Sequence, residues 1–310
     1  MIKKGKLTSL VAIFLSVLFL GCSKEEVPGE IIPNNNAPYY DGISTVLVQN
    51  YVNRLFIDLI GREPLDVEMI KEVDALREAS LSFDARDSLI SKLQNNEDLR
   101  EGDSSYKAAY YNRLYELFKV KMLEGASDAE IEKERNMVYF ALKIDSITGD
   151  WYNHGIHLEK INKLERVLLI DEEYRDDVIE IKDAFARLLD NAVYDKINMN
   201  TFNFLRASFS DLFYRFPTQP EFDNGYVIIE DNTPGIIFGQ YASSKYEFIE
   251  ILVNSKEFYE GMIRWTYRSL VAREPSTYEI EKGMNTFYFD HDLPALQKII
   301  LKTDEYANFE

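Results

Sequence analysis

The sequence predicts an all-α fold, an irregular multi-helix bundle of repeated helix-corner-helix units with at most one small β-hairpin. From residue 44 onward, apolar residues recur at intervals of three and four, the spacing of a helix that packs along one face. No stretch alternates between polar and apolar residues in the manner of a half-buried strand. Only the segments 226–230 and 235–239 resemble strands, and they predict a hairpin or an extended loop.

The first helix is predicted at residues 44–60. Its apolar residues share one face, and Gly61 follows at a position where glycine commonly ends a helix. The same spacing predicts the remaining helices, at residues 66–78, 84–95, 104–124, 128–148, 156–170, 178–193, 200–214, 245–254, 258–272, 277–287 and 293–302.

The N-terminal end predicts a signal peptide over residues 1–21. Three lysines precede the apolar run Leu7–Leu20, which is too short to span a hydrocarbon layer of about 30 Å as a helix. Gly21 and Cys22, the only cysteine of the chain, follow directly. These residues resemble the lipobox of bacterial lipoproteins, which implies cleavage before Cys22 and its acylation. The alternative is an ordinary secretory signal with an incidental cysteine.

The residues after Cys22 predict where the protein is delivered. Ser23, Lys24, Glu25 and Glu26 resemble the acidic export signal of Bacteroidota lipoproteins. That resemblance implies a lipid-anchored protein on the outer membrane, facing the cell exterior, whereas an ordinary solvated linker is the alternative. The prolines and asparagines of residues 22–42 predict a flexible tether between the anchor and the folded part.

Composition limits the partners. Removal of the three signal-peptide lysines takes the formal net charge from -18 to -21. Such a surface repels nucleic acid phosphates, so no nucleic-acid partner is predicted. The remaining length suffices for an N-terminal helical domain at residues 43–199 and a C-terminal helical domain at residues 200–310, with cores that need no disulfide.

Three copies of one sequence unit align when Arg62, Arg215 and Arg273 are superposed. An aromatic residue lies six positions before each arginine, a leucine three before, a proline two after and a glutamate six after. In copy order these residues are Phe56, Phe209 and Tyr267; Leu59, Leu212 and Leu270; Pro64, Pro217 and Pro275; Glu68, Glu221 and Glu279. Each copy is followed by a second signature with an acid in its fifth or sixth place, "LQNNEDL", "LVNSKEF" and "ILKTDEY".

This unit resembles a small helical module of phycobilisome-linker-like and planctomycete-type extracellular proteins, in which a DLxGRxP corner and an LLxSxEF end recur. The resemblance covers residues 43–100 and 200–310, and it implies architecture without implying chemistry. In the second copy, Tyr214 replaces the small residue before the arginine and residues 226–239 are inserted, which could open that corner.

The corner residues predict a structural role. Thr218 with Glu221, and Ser276 with Glu279, have the spacing of capping boxes, which satisfy free N–H groups at a helix start. Each corner proline disfavours continuation of the preceding helix. The arginines are predicted to bind a helix-end carbonyl or a nearby carboxylate rather than to take part in catalysis.

Residues with potential chemistry are few. His154 and His157 could meet on one helical face as metal ligands, but no second ligand pair is evident, and a surface helix start is the preferred interpretation. No nucleophile motif, phosphate-binding glycine loop or haem motif is present, so neither catalytic residues nor a cofactor or metal is predicted. Carboxylate pairs are too numerous for one to be singled out.

The tyrosine-rich segment 106–118 permits two interpretations. Aromatic residues at helical spacing usually pack in the core, and Tyr110 and Leu114 suit that face. Tyr106, Tyr111 and Tyr115 are predicted to lie beside or outside it, as contact anchors for a partner or glycan.

These observations favour a non-enzymatic surface lipoprotein that acts by binding, as an accessory subunit on an outer-membrane barrel or complex for transport, secretion or assembly. Its membrane contact would be the lipid on Cys22. Two alternatives stay open at this point. One is capture of extracellular glycan or peptide for an uptake system, and the other is a hydrolase with an unrecognised carboxylate site.

Overall fold

The computed structural model describes residues 42–99 and 105–309. Helices contain 75% of these residues, and the strands among them form one two-stranded antiparallel sheet. The predicted all-α fold with one small hairpin is therefore confirmed. The predicted lipidation and export residues, Cys22, Ser23, Lys24, Glu25 and Glu26, lie outside the described residues.

Each predicted helix has a counterpart, but the one predicted at residues 178–193 is divided into two, and the helices at 170–175, 219–230 and 304–307 were not predicted. The elements are α1 (Thr45–Ile60), α2 (Asp66–Glu78), α3 (Phe83–Asn95), α4 (Tyr106–Met122), α5 (Asp128–Thr148), α6 (Trp151–Leu168), α7 (Ile170–Arg175), α8 (Ile181–Leu189), α9 (Ala192–Asn198), α10 (Thr201–Phe213), α11 (Gln219–Glu230), β1 (Gly235–Ile237), β2 (Gln240–Ala242), α12 (Lys245–Val253), α13 (Lys256–Val271), α14 (Thr277–Asp290), α15 (Leu293–Leu301) and α16 (Asp304–Ala307). Among the described residues, none of these helices has both the length and the apolar character needed to cross a membrane.

Local chemistry explains where the helices begin. Ser44, Ser82, Ser105 and Ser244 each accept a hydrogen bond from the backbone N–H three residues later. Such a cap satisfies a donor that has no partner within the helix, and its loss costs about 1 kcal/mol.

The strand-like interpretation of residues 226–230 is wrong, because they form the last turns of α11. Thr218 and Glu221 start that helix with a capping box, and Gly225 and Ile228 are buried at helical spacing. The second strand-like segment does pair: β1 and β2 form a short hairpin in which Gly235 lies opposite Ala242. Burial on one helical face therefore outweighed the β-propensity of the apolar run.

One hydrophobic core extends through residues 42–310, which form a single compact unit. At its centre the ring of Phe118 in α4 lies 5.0 Å from Phe185 in α8 and 5.8 Å from Trp265 in α13, measured between ring centroids. Because these contacts join residues on both sides of position 199, the predicted boundary there does not divide the core.

The three repeated units each consist of three helices. The first unit is α1–α3, the second is α10–α12 with the hairpin inserted, and the third is α13–α15. The first and third units pack on each other: the Tyr51 hydroxyl donates to the Leu301 carbonyl at 3.1 Å, and Arg54 donates to the Tyr306 carbonyl at 2.8 Å. The Tyr306 hydroxyl in turn donates to Asp58 at 2.7 Å.

Candidate functional site

The three corner arginines bind in the same way. Arg62 donates to both oxygens of Glu68 at 2.8 and 3.0 Å, Arg215 to Glu221 at 2.8 and 2.8 Å, and Arg273 to Glu279 at 2.9 and 2.7 Å. Each also donates to the backbone carbonyl of the residue that follows it. The predicted carboxylate acceptor is thus confirmed, whereas the carbonyl belongs to the loop rather than to a helix end, and every corner contains a bidentate ion pair.

The other shared residues of the repeat support this ion pair. Each arginine lies over the aromatic ring six positions earlier, at 5.6 Å in the first copy, 5.1 Å in the second and 5.2 Å in the third. The residue before each arginine, Gly61, Tyr214 or Ala272, has a left-handed backbone with φ of 81°, 58° and 54°. This conformation ends the first helix and turns the arginine toward the next one.

The second signature of the repeat supplies a further carboxylate. Arg215 also forms a two-point ion pair with Glu257, and Arg273 forms one with Glu305 at 2.5 and 2.7 Å. These glutamates occupy the sixth place of "LVNSKEF" and "ILKTDEY". The arginine therefore joins the corner of its unit to the second signature, which follows the third helix of the unit. The second corner is not opened by Tyr214, because its ion pairs match those of the third.

At the first corner a tyrosine also binds the glutamate. The Tyr106 hydroxyl donates to Glu68 at 2.6 Å, and the Leu65 N–H donates to the other carboxylate oxygen at 2.7 Å. Burial alone would raise the pKa of Glu68, but the hydrogen bonds from Arg62, Tyr106 and Leu65 outweigh it and lower this pKa to about 2. The corners hold permanent ion pairs and are structural.

The predicted tyrosine contact surface is wrong. Tyr106, Tyr111 and Tyr115 are all buried, because α4 packs against α1, α3, α7 and α8 and so presents little free surface. These side chains have partners inside the protein. The Tyr115 hydroxyl donates a hydrogen bond to Asp128 at 2.8 Å, and the centroid of the Tyr111 ring lies 5.3 Å from that of Tyr174. Burial raises the pKa of Tyr111 to about 12.

The two neighbouring histidines do not face each other as a ligand pair. His157 Nδ1 lies 2.5 Å from an Asp145 carboxylate oxygen, whereas His154 packs against the ring of Trp151. Within the described residues, no three His, Cys, Asp or Glu side chains are arranged to hold a metal ion.

A cleft of about 540 Å³ between α6, α8 and α12 contains several acids. Lys163 forms ion pairs with two of them, Glu159 at 2.9 Å and Asp190 at 3.0 Å. Asp183 accepts the backbone N–H of Glu180 at 2.9 Å. Burial raises the pKa of Glu250, and the negative charge of Asp183 adds to this shift. Asp183 and Glu250 are thus two neighbouring carboxylates of this cleft.

Sequence reasoning missed the most exposed apolar surface among the described residues. Helices α5 and α6 form an antiparallel hairpin, here called the arm, in which Gly149 with φ of 74° ends α5 and Asp150 caps α6. At the base of the arm, Lys119 of α4 donates to Asp128 at 2.7 Å, and Lys196 of α9 donates to Glu134 at 3.0 Å. These contacts fix the arm to the core.

The distal half of the arm, residues 139–160, projects from the body of the protein. Asp145 is its only buried residue. Exposed apolar side chains cover much of the surface here, and at the tip Ile147 is 85% exposed, Trp151 68% and Tyr152 79%. The full set of exposed apolar residues on the arm is Met137, Tyr139, Phe140, Ile144, Ile147, Trp151, Tyr152, Ile156 and Leu158.

The outer part of α5 is poor in acid. Between residues 135 and 149 the single acid is Asp145, which is buried against His157. Lys143 is exposed on the same stretch and lies over the Tyr139 ring at 4.6 Å. An exposed apolar surface of this kind is a candidate site of association.

Comparison of the chain with protein-family models, curated proteins and solved structures finds no match.

Proposed function

We propose that this protein is a non-enzymatic surface lipoprotein that acts by binding, as an accessory subunit of an outer-membrane transport, secretion or assembly complex. The observation that carries the proposal is the apolar distal half of the arm. Soluble proteins rarely expose contiguous apolar surface unless a partner covers it. Trp and Tyr on a rigid element are the residue types that contribute most to protein interfaces. The predicted anchor and export signal place such a surface outside the cell.

The capture hypothesis loses one of its supports, because Tyr106, Tyr111 and Tyr115 are buried, although other aromatic side chains are exposed on the arm. The hydrolase hypothesis would rest on Asp183 and Glu250 in the cleft between α6, α8 and α12, where Asp183 already accepts the Glu180 N–H. Binding through the arm is therefore the function that the geometry favours.

The proposal predicts that polar substitutions at the tip abolish complex formation without unfolding the protein. The variant combines Ile144→Gln, Ile147→Gln and Trp151→Gln. Because these side chains are exposed, each change should alter stability by no more than about 0.5 kcal/mol. Loss of interface anchors should lower partner recovery at least about tenfold, as measured by quantitative mass spectrometry after affinity purification from mildly solubilised outer membranes.

A matched control carries Tyr241→Gln, Tyr278→Gln and Phe289→Gln, three substitutions of equally exposed residues outside the arm. The control should recover the partner as well as the unchanged protein does. If the unchanged protein is purified alone and monodisperse, the accessory-subunit proposal fails.

The predicted anchor is tested separately by Cys22→Ala. The variant lacks the thiol that would be acylated and so the predicted lipid anchor, and we expect it in the soluble fraction. Fractionation followed by immunoblotting measures this, with Ser23→Ala as the control that keeps the cysteine. Membrane retention of the Cys22→Ala protein would show that another attachment exists.

A further inference from the structure

Helix α5 has two apolar faces. Its buried residues, Ile131, Val138 and Asp145, face the core and α6 at intervals of seven. A second line of apolar residues, here called the seam, consists of Met137, Phe140, Ile144 and Ile147, and all four are exposed. At about 100° per residue, the seam lies about 140° around the helix from the buried line. It thus points away from α6.

The spacing of the seam is that of helix-on-helix packing. Its residues follow at intervals of three, four and three, which is the a and d pattern of a coiled coil. A helix that already packs on one face against α6 has no need of a second heptad line for its own fold. This spacing indicates that another helix lies along α5.

The seam continues into a groove at the base of the arm. A cavity of about 520 Å³ between α5 and α9 adjoins one of about 500 Å³ along α5, and Lys133 and Met137 line both. The apolar part of the first cavity is formed by Leu123, Ala126, Val193, Ile197 and Met137. From residue 126 to Ile147 the groove and seam extend about 30 Å at 1.5 Å per residue, the length of a helix of about twenty residues.

Charge along this surface is uneven. Its base carries Glu124, Glu130 and Glu132, whereas between residues 135 and 149 its exposed charges include Lys143 and no acid. A partner helix would complement this surface if it carried acidic residues at the end that meets Lys143.

We propose that the groove and seam bind an amphipathic helix of about twenty residues from a partner protein, with an apolar heptad line and acidic residues at the end near Lys143. This inference rests on the proposed function and specifies the partner's chemistry. Helix-in-groove recognition reads apolar anchors at this spacing. An acidic end fits Lys143 and residues 135–149, whose single acid, Asp145, is buried, whereas the same stretch of a second copy would offer a lysine and no exposed acid.

The test uses the full-length protein in its own membrane, with a photoreactive benzoyl-phenylalanine placed at one position at a time. The seam positions are Phe140, Ile144 and Ile147, and the matched control positions are Tyr139 and Ser146, which are also exposed on α5 but lie on another face. We expect protein adducts several-fold more abundant at the seam than at the control positions. Peptide mapping should find partner residues three or four positions apart.

Charge is tested on the same protein. Lys143→Glu should lower partner recovery several-fold at low salt, and the difference should narrow at high salt because salt screens exposed charges. Lys160→Glu, an exposed lysine on α6, is the control and should have little effect.

Three results would overturn the inference. They are equal adduct yields at seam and control positions, adducts to lipid without protein, and adducts to a second copy of this chain. If a partner is recovered but cross-links away from the seam, the accessory-subunit proposal still holds. The binding of a partner helix along the seam is then excluded.

Discussion

Replacement of Gly261 by alanine is expected to lower the free energy of unfolding by about 3 kcal/mol. In α13 this glycine lies against the last turn of α10, and an added Cβ would be only 1.9 Å from the Leu212 carbonyl oxygen. The obstacle is backbone, so the two helices must separate. Separation would also strain the ion pair between Arg215 and Glu257, because Glu257 lies one turn before Gly261.

The control is Gly155→Ala in α6, where nothing lies within 4 Å of the added Cβ. Alanine there should stabilise the protein by about 0.5–1 kcal/mol, since glycine is a poor helix former. Urea denaturation followed by circular dichroism measures both variants. If the two substitutions behaved alike, α10 and α13 could not approach as closely as described.

Replacement of Glu68 by alanine is expected to lower the free energy of unfolding by about 3 kcal/mol at neutral pH. This carboxylate accepts four hydrogen bonds, two from Arg62 and one each from Leu65 and Tyr106. The Tyr106 side chain is buried, so loss of this acceptor is not compensated by water.

Acid provides a second measurement at the same corner. The folded-state pKa of Glu68 is about 2, below its ordinary value of 4.5, so the unfolded state takes up the proton more readily. The stabilisation is therefore complete above about pH 4.5 and is lost as the pH falls toward 2. Glu68→Ala should reduce the slope of stability against pH in this window. Glu281→Ala, at an exposed position of α14, is the control and should leave the slope unchanged.

The repeat was predictable because its chemistry is local. An arginine and a glutamate six positions apart, around a proline and a capping box, carry most of the corner's geometry in their spacing. The partner carboxylates Glu257 and Glu305 were not identified, because an ion pair across 42 or 32 residues depends on how the helices pack. Their shared place in the second signature was the available signal.

Surface and core were harder to predict where a helix carries apolar residues all round. Helix α4 is enclosed by neighbours, so tyrosines predicted to be exposed are buried, while α5 has few neighbours beyond its base, so Phe140 and Ile144 are exposed. A single sequence gives the period of a pattern but not the number of elements around it. The spacing of Met137, Phe140, Ile144 and Ile147 could have indicated the second face of α5.

The packing of α16 on α1 has a mechanical consequence for a protein that is predicted to hang from a tether. Tension on the tether enters the folded part at α1, where Arg54 and Asp58 are held by Tyr306 near the other end of the chain. A pulling force on α1 is therefore transmitted to the residues near position 306. Helix α1 cannot separate from the fold until these contacts break. The resistance of α1 to pulling therefore depends on contacts with a residue about 250 positions away in the sequence.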